Sequence, residues 1–136
     1  MIKKYYFILL TVIFFSNTFF TKANTGIYKL KATSCKMAEC LHPQNGFVFK
    51  SAPKEISFNK DSFVLDFNRK VFKWADGKGS SDNKMYDVQS ISSGQTFKTE
   101  HHYVRLITTS SSSAVLGIII SSNDRWLYLE FKCEIS

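Results

Sequence analysis

From residue 26 onward, apolar and polar residues alternate with a period of two, the pattern typical of β-strands. The segment 125–133 (RWLYLEFKC) is the clearest example, because its apolar set ends in Phe131 and Cys133 while Trp126 and Tyr128 fall on the opposite face beside Glu130 and Lys132. The same alternation, in whole or in part, marks residues 26–33, 46–51, 55–59, 62–67, 70–74, 84–92, 95–108 (interrupted near Glu100) and 114–121. Eight or nine short strands predict an all-β fold with a small antiparallel up-and-down β-barrel, or alternatively a two-sheet β-sandwich.

The segments between the strands carry turn-forming residues. Lys60-Asp61 predicts a tight hairpin between 55–59 and 62–67, and 76–83 (DGKGSSDN) predicts a surface loop. Residues 35–41 (CKMAECL) contain no strand-forming run, and with Ser34 as N-cap and Pro43 as terminator they predict one short helix.

The N-terminus has the pattern of a secretory signal. Lys3 and Lys4 precede an apolar stretch from Tyr5 to Phe20, and Thr21-Lys22-Ala23 supplies small residues for cleavage. A retained membrane anchor is the alternative, but spanning needs about 20 predominantly apolar residues and Ser16-Asn17-Thr18 break this run. We therefore expect residues 1–23 to be a cleaved signal peptide and 24–136 to be a single all-β domain, exported to the periplasm or secreted, with no stable membrane span after cleavage.

Much of the positive charge belongs to this leader. The net charge falls from +7 to +4 once Lys3, Lys4 and Lys22 are removed. Lys70, Phe72, Lys73 and Trp74 alternate in the manner of a single-strand nucleic-acid surface. Because the remaining charge is mild, a solvated strand face is the favoured interpretation, and no nucleic-acid partner is expected.

The three cysteines, Cys35, Cys40 and Cys133, would meet an oxidising compartment after export. If residues 35–41 are helical, Cys35 and Cys40 lie about 7.5 Å apart along the axis. That separation exceeds the Cα–Cα reach of a disulfide, about 7 Å. Cys133 is then expected to bond with one of them, whereas an open loop would allow a local Cys35–Cys40 bridge.

Two short stretches carry a family resemblance. Asn24-Thr25-Gly26-Ile27-Tyr28 resembles the Gly-x-Trp opening of lipocalin-like barrels, with Tyr28 where tryptophan is usual. Residues 56–63 (ISFNKDSF) are similar to a hairpin motif of small bacterial lipocalin-like domains, with Ser62 in place of glycine. The resemblance implies a barrel rather than a sandwich and, less strongly, a ligand cavity.

Candidate catalytic and metal sites are few. His101 and His102 are neighbours on a predicted strand, where their side chains point to opposite faces and cannot share one metal ion. Cys35, Cys40 and His42 lack a fourth ligand for zinc. The sequence contains no G-x-S-x-G, H-E-x-x-H or phosphate-binding glycine loop. We therefore expect no enzyme activity, no metal and no cofactor.

Aromatic residues are the remaining functional indication. The phenylalanines of the domain suffice to fill a small barrel, whereas tyrosine and tryptophan are the residues that carry interface energy. The candidate ligand- or partner-binding residues are Tyr28, Trp74, Trp126 and Tyr128. Two functions follow: a non-catalytic exported binding protein for a small apolar ligand, or an envelope protein-binding inhibitor or immunity-type factor acting on an enzyme. A carrier needs an interior void, whereas an inhibitor can be solid inside.

Overall fold

A computed structural model describes residues 26–136, and the predicted signal peptide lies outside these residues. The described part is all-β, as predicted, and contains ten strands and one turn of 3₁₀ helix at Pro43–Asn45. The strands are β1 (Ile27–Cys40), β2 (Lys54–Ile56), β3 (Ser62–Asp66), β4 (Val71–Asp76), β5 (Gly79–Lys84), β6 (Tyr86–Ile91), β7 (Gly94–Lys98), β8 (His102–Thr108), β9 (Ser113–Ser122) and β10 (Arg125–Ile135).

The strands form one curled antiparallel sheet, a half-barrel consistent with a small up-and-down β-barrel. The order across the sheet is β5-β4-β3-β1-β10-β9-β8-β7-β6, with β2 pairing separately with β1. The first and last strands are therefore neighbours at the centre of the sheet. The two edge strands, β5 and β6, are separated in the chain only by Met85, whose N–H donates to the carbonyl of Lys70.

Polar turn residues set the hairpins between consecutive strands. Oδ1 of Asp66 accepts hydrogen bonds from the N–H groups of Asn68 and Arg69, which closes the turn between β3 and β4. Asn123 and Asp124 both have positive φ, the conformation of the two-residue turns that match the twist of a hairpin, and they join β9 to β10.

The concave side of the half-barrel is filled with side chains. Phe63, Phe72 and Phe131 are at most 2% exposed, and Phe72 meets Phe97 from the far side of the curl with 5.6 Å between ring centroids. Four aliphatic residues of β8 and β9 complete the packing with no exposed surface: Val104, Leu106, Leu116 and Ile118. The phenylalanines therefore form a core.

A second, smaller layer covers part of the convex side. Cys40, Ile119 and Tyr128 are buried there beneath Phe47 and Phe49, which belong to the connection between β1 and β2. Two backbone contacts hold this connection against the sheet. Cys40 and Phe49 form an isolated antiparallel β-bridge, and the Leu41 N–H donates a hydrogen bond to the Val48 carbonyl. The connection, residues 41–53, is called the outer cover below.

The expectation of a short helix at residues 35–41 is wrong, and this changes the cysteine argument. Residues 35–40 are the end of β1, so Cys35 and Cys40 lie about 16 Å apart along an extended strand and face opposite sides of the sheet. Cys35 and Cys133 lie in the concave core and Cys40 in the convex layer. The predicted disulfide is absent, since all three are buried free thiols.

Two predicted connections also differ. β2 does not form a hairpin with β3, because both strands pair with β1 at different places along its length. Asp61 is consequently buried rather than an exposed turn residue. The segment predicted as a surface loop at 76–83 is mostly β5, which pairs with β4 after a tight turn closed by Asp76 Oδ1.

Candidate functional site: the rim cleft

An open cleft of about 610 Å³ lies over the rim of the half-barrel at the loop between β7 and β8. Both tryptophans of the chain line it. Trp74, which packs against the core, approaches it from the concave side together with His102, and Tyr103 and Trp126 belong to the convex layer. This cleft is called the rim cleft, and it is lined by Trp74, Lys98, Thr99, Glu100, His101, His102, Tyr103, Ile120, Ser121 and Trp126.

Trp74 forms the concave wall and is fixed in place. Its Nε1 donates a 2.6 Å hydrogen bond to Oδ2 of Asp61, a carboxylate only 6% exposed. Its ring contacts Phe63 and Phe131 of the core and lies 5.5 Å from the ring of His102. The strand of Trp74, β4, is five places from β8 in the sheet, so the curl creates this contact.

Thr99 organises the loop that carries the histidines. Its Oγ1 accepts from the N–H groups of His101 (3.3 Å) and His102 (3.0 Å), and it also lies 3.1 Å from Nδ1 of His102. Because the Thr99 oxygen already accepts two hydrogen bonds, we infer that its hydroxyl group donates a hydrogen bond to Nδ1 of His102. The neutral imidazole then carries its own proton on Nε2.

Burial lowers the pKa of His102, and the neighbouring His101 lowers it further. The lowered pKa favours the neutral imidazole, whose Nε2–H is a hydrogen-bond donor, and the ring centroid lies 5.5 Å from that of Trp74. The prediction that His101 and His102 are neighbours on one strand and point to opposite faces is wrong. His101 lies in the loop before β8, both side chains line the rim cleft, and their ring centroids are 6.4 Å apart.

Trp126 forms the convex wall. Its ring lies edge-on to His42 of the outer cover, with 4.9 Å between centroids, and edge-on to Tyr103 at 6.2 Å. It is half-buried, so part of the indole faces the cleft. The outer cover therefore shields one side of Trp126 and leaves the other to the solvent.

The two acidic or basic residues that line the cleft, Lys98 and Glu100, each lie close to a polar partner. Lys98 Nζ lies 3.4 Å from Asp87 Oδ2 and over the ring of Tyr103, at 5.6 Å from its centroid. Glu100 Oε1 lies 3.8 Å from Nε2 of His101. Exposed pairs of this kind contribute little to stability.

Of the four aromatic residues predicted from the sequence to bind a ligand or partner, the structure brings only two together. Trp74 and Trp126 line the same cleft. Tyr128 is on the convex face, as its register predicts. The Phe49 ring covers it, with 4.4 Å between the ring centroids, and no part of Tyr128 is exposed. Tyr28 is half-buried on β1, edge-on to Phe67, and lines neither this cleft nor the groove beside it.

Tyr128 belongs to a buried polar contact rather than to the cleft. Its hydroxyl donates to Oε1 of Glu130 at 3.0 Å. Burial, followed by the charge of Glu130, raises the pKa of Tyr128 to about 12.

Sequence reasoning missed Thr99, Tyr103 and Ser121 as members of the site. The interruption of the 95–108 pattern near Glu100 was the one local indication, because a break in a strand pattern marks a loop at the rim. Within residues 26–136, no three histidine, cysteine or acidic side chains are grouped so as to hold a metal ion.

The chain has been compared with protein-family models, with curated proteins and with solved structures, and none of them matches. No helix within residues 26–136 is both long enough and apolar enough to cross a membrane.

Proposed function

We propose that this protein is a non-catalytic binding protein that takes a small, partly apolar ligand in the rim cleft. One observation carries the proposal: the two tryptophans of the chain lie on opposite walls of one open cleft. Aromatic walls with a few polar groups are typical of ligand sites. His102 Nε2 supplies a donor that fixes orientation.

Because the core is filled, the site we propose for the ligand is at the mouth of the half-barrel rather than inside it. A carrier that encloses its ligand needs an internal cavity, but Phe63, Phe72 and Phe131 pack the concave side. The ligand consistent with this packing contacts the rim and remains partly exposed.

A comparison of ligand affinities between the protein and two variants tests the proposal. A library of small neutral ring compounds is screened by calorimetry against the protein, Trp126→Ala and Tyr86→Ala. Tyr86 is 47% exposed and does not line the cleft, so its variant is the control. We expect binders whose affinity falls about tenfold or more in Trp126→Ala, a loss of about 1.4 kcal/mol, and stays unchanged in Tyr86→Ala. Binders that are indifferent to Trp126→Ala would refute the cleft as the site.

The protein-binding alternative is favoured by a different observation. The core is solid, as expected for an inhibitor, and the outer cover presents Leu41 and Val48, 39% and 44% exposed, next to each other. The loop at 76–83, a candidate contact of such an inhibitor, is β5 in the structure. Capture of an envelope protein that is lost in Val48→Asp but retained in Trp126→Ala would support this alternative over the small-ligand site.

Export is part of the proposal. It is supported by the charged start, the apolar stretch and the small residues at 21–23. N-terminal sequencing of the protein from the periplasm or medium is expected to begin close to residue 24. A chain that starts at Met1 in the cytoplasm would contradict it.

A further inference from the structure

A second groove continues the rim cleft along the convex face. It has a volume of about 620 Å³ and lies between the outer cover and strands β6 to β8. Lys98 and Tyr103 line both the groove and the rim cleft. His42 of the groove is in ring contact with Trp126 of the cleft. The two spaces are therefore neighbours separated by no more than one row of side chains.

The groove is lined both by aromatic rings and by uncharged hydrogen-bonding groups. Phe47 and Tyr103 supply the rings, and Gln44, Gln89 and Thr96 supply hydroxyl and amide groups. Gln89 and Thr96 are cross-strand partners of β6 and β7, so both side chains stand on the same face. A site of this composition suits a ligand that has apolar ring faces and several hydroxyl groups at its edges.

The acidic and basic residues that line the groove, Asp87 and Lys98, form an ion pair with 3.4 Å between Oδ2 and Nζ. A strongly anionic or cationic ligand would disrupt this pair. An uncharged ligand would leave it in place.

The strands beneath the groove distinguish a saccharide from a peptide. β7 and β8 each pair with a strand on both sides, whereas β6 is an edge strand. A peptide that crosses these strands meets a free edge only at β6, so most of its amides would lose hydrogen bonds on burial. A saccharide needs only side-chain partners.

We propose that the rim cleft and the convex groove form one extended site for a neutral oligosaccharide, with one sugar ring at Trp126 and the following rings passing Tyr103 towards Gln89. This rests on the proposed binding function and adds the ligand class and the direction of the chain. Tyr103 contributes to both parts of the site, whereas Gln89 belongs to the groove alone.

The test uses neutral glucose and N-acetylglucosamine oligomers, from the single sugar to the hexamer, titrated by calorimetry. We expect the hexamer of at least one series to bind about tenfold or more tightly than its monosaccharide. Gln89→Ala should remove this gain without weakening monosaccharide binding. Ser80→Ala, on the exposed edge strand β5, is the control and should change neither affinity. Gln89 is exposed, so its substitution leaves the fold intact.

Each other outcome overturns the inference. Equal affinity for monomer and hexamer would refute the extended site, and an unchanged hexamer affinity in Gln89→Ala would refute the direction. Absence of saccharide binding, or binding of a peptide library in the groove instead, would refute the ligand class. The proposed function fails separately, if no small ring compound depends on Trp126.

Discussion

Gly117 and Tyr128 show how a single residue position decides the packing of the convex layer. A Cβ placed on Gly117 would lie 2.7 Å from one ring carbon of Tyr128 and 2.9 Å from its hydroxyl oxygen. Gly117 is the cross-strand partner of Glu130, which accepts the Tyr128 hydroxyl hydrogen bond. The glycine thus makes the space in which Tyr128 is buried.

Gly117→Ala is therefore expected to destabilise the protein by about 1–3 kcal/mol, the usual cost of overpacking. Gly79→Ala is the matched control, because a Cβ there meets nothing within 4 Å and the backbone is not in the left-handed region. Urea unfolding of both variants measures the difference. Equal stability of the two would show that Tyr128 does not occupy this position.

The hydrogen bond between Trp74 and Asp61 carries the second prediction at this scale. Trp74 Nε1 donates this hydrogen bond to the buried Asp61 carboxylate. Trp74→Phe leaves that carboxylate without this donor, so we expect a loss of about 1–3 kcal/mol in the free energy of unfolding. Adding Asp61→Asn should recover part of it, because an amide is less costly to bury than a charge.

Thermal or urea unfolding of the single and double variants measures this coupling. The amide oxygen of the Asp61→Asn variant can still accept from Trp74 Nε1. If Trp74→Phe costs the same in the presence and in the absence of Asp61→Asn, the charge of Asp61 therefore adds nothing to this bond.

The outer cover is the element on which the convex layer depends. It contributes Phe47 and Phe49, and the latter lies 4.4 Å from Tyr128. We expect Phe49→Ala to destabilise the protein by about 2 kcal/mol, below the 3–5 kcal/mol typical of a fully buried phenylalanine because Phe49 is half-buried. Val48→Ala, one residue away and 44% exposed, should cost under about 0.5 kcal/mol.

Unfolding monitored by near-UV circular dichroism checks this pair of variants. Similar losses in Phe49→Ala and Val48→Ala would mean that the outer cover does not shield Tyr128.

The sequence identifies a strand most clearly where only one face is covered, as in the second half of β10. In β10, Phe131 and Cys133 face the core and Lys132 and Glu134 face the solvent, so alternation is visible. Residues 35–40 were mistaken for a helix because both faces of this part of β1 are covered, Cys35 by the core and Cys40 by the outer cover. A strand buried on both faces loses the alternation that identifies it.

The site is harder to predict than the elements because its contacts are not local. Trp74 and His102 meet only after the sheet curls, and the shielding of Tyr128 depends on Phe49 from a distant connection. The register of β10 correctly places Trp126 and Tyr128 on one face. It contains no information about which of the two is covered.

For the molecule as a whole, stability should depend on pH in the alkaline range. Burial, and then the charge of Asp61, raises the pKa of Cys35 to about 11 and that of Cys133 to about 12. The pKa of Tyr128 is also raised to about 12. In each case the folded protein holds the proton more tightly than the unfolded chain, where the values are 9.0 for cysteine and 10.0 for tyrosine.

The unfolded state therefore loses protons first as the pH rises, and the free energy of unfolding falls. This contribution is fully present below pH 9.0 and is lost between there and about pH 12. Urea midpoints measured across this range are expected to decrease steadily, and Tyr128→Phe, which lacks one of the groups, should show a shallower decrease above pH 10. Midpoints that stay constant would contradict the burial of the thiols.

The chain has two tryptophans and both line the rim cleft, so their signals report directly on binding at this site. Their indole N–H signals in a ¹⁵N-correlated NMR spectrum, assigned with Trp74→Phe and Trp126→Phe, are followed while the tightest-binding compound of the screen is added. We expect the Trp126 signal and the Tyr103 and His102 amide signals to shift together and to saturate at one equivalent. Saturable binding that leaves these signals unmoved would contradict this expectation.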